Sequence, residues 1–203
     1  MREGEVKMKK LLIKTDSELQ NFRDKFNSFS PNPVALTYLQ QSSVYGCYLR
    51  NELVAGYTVN TQAPFRYIDW LPEGSIRENI LKKYYVDNKT AECCCLWISK
   101  TQVTKFQRNF IYMFLMYDLL KTGRHYIFGG TTASKVGAYH SQALNHTVYK
   151  GPLTLPKRPE GQIYYTTWAT LLKFITLSYF KETYHDIMNK FRRKNENLKT
   201  PLG

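Results

Sequence analysis

The residues able to do chemistry in this chain are few, and their spacing sorts them. Cys93-Cys94-Cys95 form a run, with Cys47 apart from it. There is no CxxC spacing, and consecutive strand residues point to alternate faces, so three adjacent thiols cannot converge on one ion. They read as small buried hydrophobes, and neither a disulfide framework nor a metal site is expected. Glu92 opens the same apolar run. A carboxylate at a strand entry is either solvated or, where burial raises its pKa, able to take up a proton. His140 and His146 read as surface or hydrogen-bonded histidines rather than catalysts. Lys105 and Arg108 precede a long apolar run that reads as a helix. Cations beside the unpaired N–H groups of a helix start suit phosphate, and their alternative is two solvated loop charges.

Charge narrows the partners. The chain has 203 residues, with 29 Lys+Arg against 16 Asp+Glu and a net charge of +13. Such a surplus favours an anionic partner: nucleic acid, a phosphate-bearing cofactor, an acidic carrier protein or an anionic membrane surface. The basic residues are scattered and no RNP, zinc-finger or helix-turn-helix pattern is present, so nucleic acid is not the expected partner. Sixteen Tyr suit a cleft with apolar walls and hydroxyl handles. Residues 11–13 are too short an apolar run for a signal peptide, and no stretch reaches the roughly 18 apolar residues of a membrane span. With unpaired cysteines, the expectation is a cytoplasmic protein.

The elements that must position these residues follow from periodicity. Residues 9–14 read as a strand, and Thr15-Asp16-Ser17 starts a helix with Leu19, Phe22 and Phe26 on one face. A hairpin follows, 44–49 and 53–59 around Arg50-Asn51-Glu52. The segment 65–86, with a helix at 75–85, interrupts the sheet and is a candidate lid or substrate loop. Residues 91–99 are a continuous apolar run, the mark of a strand buried on both faces. The helix at 109–121 is apolar almost all round and should be buried, with Gly123 as its cap. A strand at 126–130, a helix at 133–144 and a strand at 147–153 come next. A Pro-rich connection at 155–161 leads to a long helix from about 165 to 194 and a basic tail. The fold class is α+β: a mixed central sheet flanked by helices, with an added C-terminal helix. One domain is expected, with a core at 1–160 and, at 161–203, a helical extension and basic tail of the same domain.

From Val44 to Leu153 the order resembles the core of the GCN5-related N-acetyltransferases. The clearest local match, Lys135-Val136-Gly137-Ala138-Tyr139-His140-Ser141-Gln142-Ala143-Leu144-Asn145-His146-Thr147-Val148-Tyr149-Lys150-Gly151-Pro152, is similar to the family's closing helix and strand. The resemblance implies an N-acyltransferase in which an amine attacks a thioester directly, with no metal. It implies that Glu92 is the general base, that Tyr139 protonates the departing thiolate, and that the donor's pantetheine arm lies along Leu96, Trp97 and Ile98. It also implies that phosphates sit on Lys105, Gln107, Arg108, Asn109, Phe110 and Ile111. The family writes this loop Gln/Arg-x-x-Gly-x-Gly/Ala, whereas this chain has Gln107-Arg108-Asn109-Phe110-Ile111-Tyr112 without the glycines. Branches that take the acyl group from acyl carrier protein, the N-acyl amino acid and acyl-homoserine lactone synthases, depart similarly. The co-substrate is thus acyl-CoA or the phosphopantetheine of an acyl carrier protein, and the amine acceptor is unspecified. The alternative is a nucleic-acid-binding or membrane-surface adaptor that no longer binds a donor. Peripheral membrane contact would then run through the C-terminal basic helix, which ends in Arg192-Arg193-Lys194.

Overall fold

The computed structural model describes residues 8–85, 88–132, 143–155 and 160–177. Strand β1 (Lys9–Ile13) is followed by α1 (Asp16–Phe29), opened by a capping box in which Thr15 and Glu18 satisfy each other's backbone N–H. Leu19, Phe22 and Phe26 recur at helical spacing and are buried as expected. A short helix, α2 (Leu36–Gln40), leads into the hairpin β2 (Ser43–Leu49) and β3 (Glu52–Asn60). Its turn residues Arg50 and Asn51 have φ of 50° and 64°, the left-handed pair that a tight two-residue hairpin requires.

The segment read as a candidate lid or substrate loop contributes to the core. It folds as α3 (Arg66–Asp69) and α4 (Ser75–Tyr84), and Tyr67, Ile68, Leu71 and Ile80 are buried. Then come β4 (Thr90–Ile98), α5 (Lys105–Lys121), β5 (Tyr126–Thr131), β6 (His146–Pro152) and β7 (Glu160–Thr167). Gly123, at φ 65° just beyond α5, takes the left-handed conformation foreseen for it. Residues 168–177 are helical (α6). Most of the helix expected at 133–144 lies outside the described residues.

The seven strands form one sheet in the order β1-β2-β3-β4-β5-β7-β6, antiparallel throughout except where β4 and β5 run parallel. The α+β class with a mixed central sheet holds. Strand β7 corrects the sequence reading, which ran a connection to 161 and a helix from 165. Its residues alternate, with Ile163 and Tyr165 on one face and Tyr164 on the other, and it pairs with β5 and β6 on its two edges. Ladders on both sides outweigh the helical spacing that continues from Trp168 onward.

The sheet separates two apolar cores. One, under α1 to α4, holds Phe22, Leu39, Tyr67, Cys94, Trp97 and Phe128. The other, under α5 and α6, holds Val54, Tyr57, Ile111, Leu115, Ile127 and Leu171. A second correction concerns α5, which is not buried all round. Ile111, Leu115, Asp118 and Leu119 face the sheet, while Phe106, Phe110, Met113 and Tyr117 are exposed.

Candidate active site

Strand β4 carries an irregularity that shapes everything around it. Gly56 pairs with Trp97 and Thr58 with Cys94, so Cys95 and Leu96 together oppose Tyr57, and Cys95 takes a φ of 52°. An extra residue on one strand bends and twists it. The bulge also breaks the alternation expected of the cysteine run, because Cys94 and Cys95 both join the core under α1 to α4 while Cys93 packs towards the other. All four thiols are free, and burial pushes those of Cys47 and Cys93 up to about 12. Among the described residues no cluster of His, Cys, Asp or Glu could hold a metal ion.

The bent strand then leaves its parallel neighbour. Ladder pairs join Thr90 to Tyr126, Ala91 to Ile127 and Glu92 to Phe128, and none joins the two strands beyond that point. Strands β4 and β5 therefore form a fork whose crotch is Glu92. Among the described residues, 93–98 present an edge with no strand partner on the β5 side, and Leu96, Trp97 and Ile98 lie along it. Trp97 turns its indole into the core, stacked on Phe29 at 5.2 Å and edge-on to Phe22, so only its backbone can serve that edge.

Glu92 is fully buried, which removes the solvated alternative. Its Oε2 accepts from the Arg66 N–H at 2.8 Å, and its Oε1 accepts from the Tyr67 N–H at 3.1 Å and from the Tyr85 hydroxyl at 3.1 Å. Arg66 and Tyr67 are the first two residues of α3, so the carboxyl of β4 caps a helix that arrives from elsewhere in the chain. Burial pushes the Glu92 carboxyl up to about 8, against the opposing pull of those N–H groups and of Tyr85. Tyr67 then spans the fork itself, its hydroxyl donating to the Cys93 carbonyl at 2.7 Å and lying 3.4 Å from the Gly130 carbonyl of β5. Gly130 must lack a side chain here, since a Cβ would stand 2.6 Å from Tyr67 Cε1. Sequence reasoning missed Tyr67 and Tyr85, because nothing local distinguishes them from the other tyrosines.

The stretch foreseen as a phosphate cradle is differently built. Thr104 and Gln107 form a capping box: the Gln107 N–H donates to Thr104 Oγ1 at 3.2 Å, and the Thr104 N–H donates to Gln107 Oε1 at 3.0 Å. Helix α5 thus starts at Lys105 rather than 109, and the Arg108 N–H already donates to the Thr104 carbonyl at 3.0 Å. Backbone donors at Gln107, Arg108, Asn109, Phe110 and Ile111 are consumed inside the first turns, and Ile111 is buried. The N–H groups left without an intrahelical acceptor are those of Lys105 and Phe106. Beside them, Arg108 Nε is shielded from solvent with no acceptor among the described residues.

Tyr139 and His140 lie outside the described residues. His146 is exposed and stacks on Tyr165 at 4.8 Å.

No family model matches the chain, and no curated protein matches its sequence. Solved structures do match its shape. It is similar to FeeM, an N-acyl amino acid synthase from uncultured soil microbes, with a TM-score of 0.62 at 10% identity over 84% of this chain and 94% of that one. It is similar to yncA, a putative acetyltransferase from Salmonella typhimurium with its cofactor acetyl-CoA, with a TM-score of 0.53 at 8% identity over 80% of this chain and 94% of that one. The AHL synthase LasI matches with a TM-score of 0.55 at 10% identity over 81% of this chain and 91% of that one. Agreement over nearly the whole of these chains, with the forked mixed sheet described above, means that this chain has the fold of the GCN5-related N-acetyltransferases.

Proposed function

We propose that the chain is an N-acyltransferase that moves an acyl group from a thioester to an amine. The observation that carries this reading is the fork: a strand edge left open for an extended ligand, with a buried, proton-accepting carboxyl at its crotch. A pantetheine arm is an extended amide chain, and an unpaired strand edge is what such a chain pairs with. Lys105 and Phe106 N–H, the Lys105 ammonium and Arg108 would receive the phosphate of CoA or of a carrier's phosphopantetheine.

In the reaction the amine nitrogen attacks the thioester carbonyl, the C–N bond forms, and the C–S bond breaks. The amine gives up a proton and the departing thiolate takes one. Glu92 is the base in this reading. Its two oxygens already face α3 and Tyr85, so the proton reaches it through the Tyr85 hydroxyl, which burial holds neutral. Tyr139 is the proton source for the thiolate, by resemblance alone.

An acyl carrier protein is the favoured donor, because the glycine-free α5 start and the net charge of +13 suit an acidic carrier. Four unpaired thiols suit a reducing cytoplasm. Native mass spectrometry and thermal unfolding with acetyl-CoA, long-chain acyl-CoA and acyl carrier protein test donor binding. At least one donor should raise the unfolding temperature, and Arg108→Glu should remove that rise. Folded protein that responds to none of them would overturn the reading.

A further inference from the structure

The outward side of α5 is apolar where a surface helix is normally polar. Phe106, Phe110, Met113 and Tyr117 are 68%, 39%, 44% and 61% exposed. At 3.6 residues per turn these four positions fall within an arc of about 60°, directly opposite the buried Ile111, Leu115 and Leu119. Phe106 and Phe110 touch ring to ring, at 4.8 Å between centroids. Contiguous exposed apolar surface of this kind marks an interaction site.

The charges around the stripe say what covers it. Among the described residues of α5 and α6 the only acidic side chain is Asp118, and it is buried and ion-paired with Lys10 at 2.7 Å. Lys105 and Lys121 stand exposed at the two ends of α5, and Lys173 on α6. On the α1 to α4 side the exposed acids Asp16, Glu18, Asp24, Asp69, Glu73 and Glu78 are interspersed with Arg23, Lys25, Arg77, Lys82 and Lys83, so no such one-signed rim forms there. We propose that the α5 face docks on an anionic lipid bilayer, with Phe106, Phe110, Met113 and Tyr117 entering the headgroup–acyl boundary and the lysines meeting lipid phosphates. A row of aromatic and Met side chains edged by lysines is the pattern of a helix lying in a membrane interface. A second copy is disfavoured as occupant, because pairing the face with itself would oppose lysine to lysine. An acidic protein would meet the lysines but leaves the apolar arc, which occupies the outermost line of the helix, unexplained. The proposal shares Lys105 and the backbone of Phe106 with the acyl transfer reading, and its test uses Met113, Tyr117 and Lys121, which that reading does not.

Co-sedimentation of the full chain with vesicles tests it. Binding is expected to phosphatidylcholine vesicles that contain phosphatidylglycerol, to be weaker with pure phosphatidylcholine, and to fall with added salt. Met113→Gln/Tyr117→Gln, with an unchanged circular dichroism spectrum and unfolding temperature, should weaken binding by about tenfold or more. Lys121→Glu should weaken it through charge alone. The proposal is overturned if the full chain ignores anionic vesicles, or if both variants bind as the parent does, which would assign binding to the basic C-terminal residues. It is equally overturned by light scattering that reveals a dimer, or by a complex with an acidic carrier protein, that the double substitution dissolves.

Discussion

Glu92 has no contact with solvent, yet two backbone N–H groups and a phenol donate to it. Removing it leaves those buried donors without an acceptor. Each such group costs about 1–3 kcal/mol, so Glu92→Ala should destabilise the fold by about 3 kcal/mol or more in a denaturant titration. Glu92→Gln retains one accepting oxygen and should cost less. Its pH dependence has a definite sign. The folded carboxyl titrates near 8 and the unfolded one near 4.5, so between those values the folded state holds a proton that the unfolded state has lost. Stability from this group is therefore full below the lower value and declines as pH rises towards the upper one. Unfolding free energy of the parent should fall across that window relative to Glu92→Gln. At Gly130 the opposite change is informative, because an added methyl would meet the ring of Tyr67. Gly130→Ala should cost about 1–3 kcal/mol by overpacking and, by displacing Tyr67 from the fork, should diminish any stabilisation by donor. The identity of Glu92 and its place at the strand entry were legible in the sequence. Its partners were not, since Arg66 and Tyr67 reach it only through a helix packed across the sheet.

At the scale of elements, α5 shows what a sequence can reveal and what was passed over. Thr104 and Gln107 stand at the spacing of a capping box, the same signal that starts α1 at Thr15 and Glu18. Given full weight, that pair would have placed the helix start at Lys105 and left the backbone N–H groups of 107–111 to the helix itself, with Arg108 available only through its side chain. Thr104→Ala should remove the cap at a cost of about 1 kcal/mol, or about 2–4 °C in unfolding temperature for a chain of this size. It should also lower donor affinity if Lys105 and Phe106 N–H hold the phosphate. Strand β7 was hidden by a different cause. Ile163-Tyr164-Tyr165-Thr166 alternates across the sheet, but the apolar residues that follow from Trp168 onward keep helical spacing, and the two patterns overlap without a turn between them. The bulge at Cys95 left no trace either, because a left-handed φ at a non-glycine residue is imposed by the pairing around it.

Across the whole molecule, the two-faced core follows from apolar runs that the sequence displays plainly, whereas the place of β7 between β5 and β6, and the fork beside the bulge and the α3 segment that Glu92 caps, are tertiary products. Acids and bases are mixed on the α1 to α4 side of the sheet, whereas the described residues of α5 and α6 expose lysines beside an apolar stripe and no acid. The fork and the buried carboxyl together make the central claim one of group transfer, and release of thiol tests it most directly. Purified chain incubated with acyl-CoA or acyl carrier protein, with and without a pool of amines, should liberate free thiol in an amine-dependent way. The rate should climb as pH approaches 8, where Glu92 gives up its proton, and Glu92→Gln should lower it by about 10²–10⁴ while the protein stays folded. Thiol release that never depends on an amine with any donor, or a Glu92→Gln variant as active as the parent, would contradict the account.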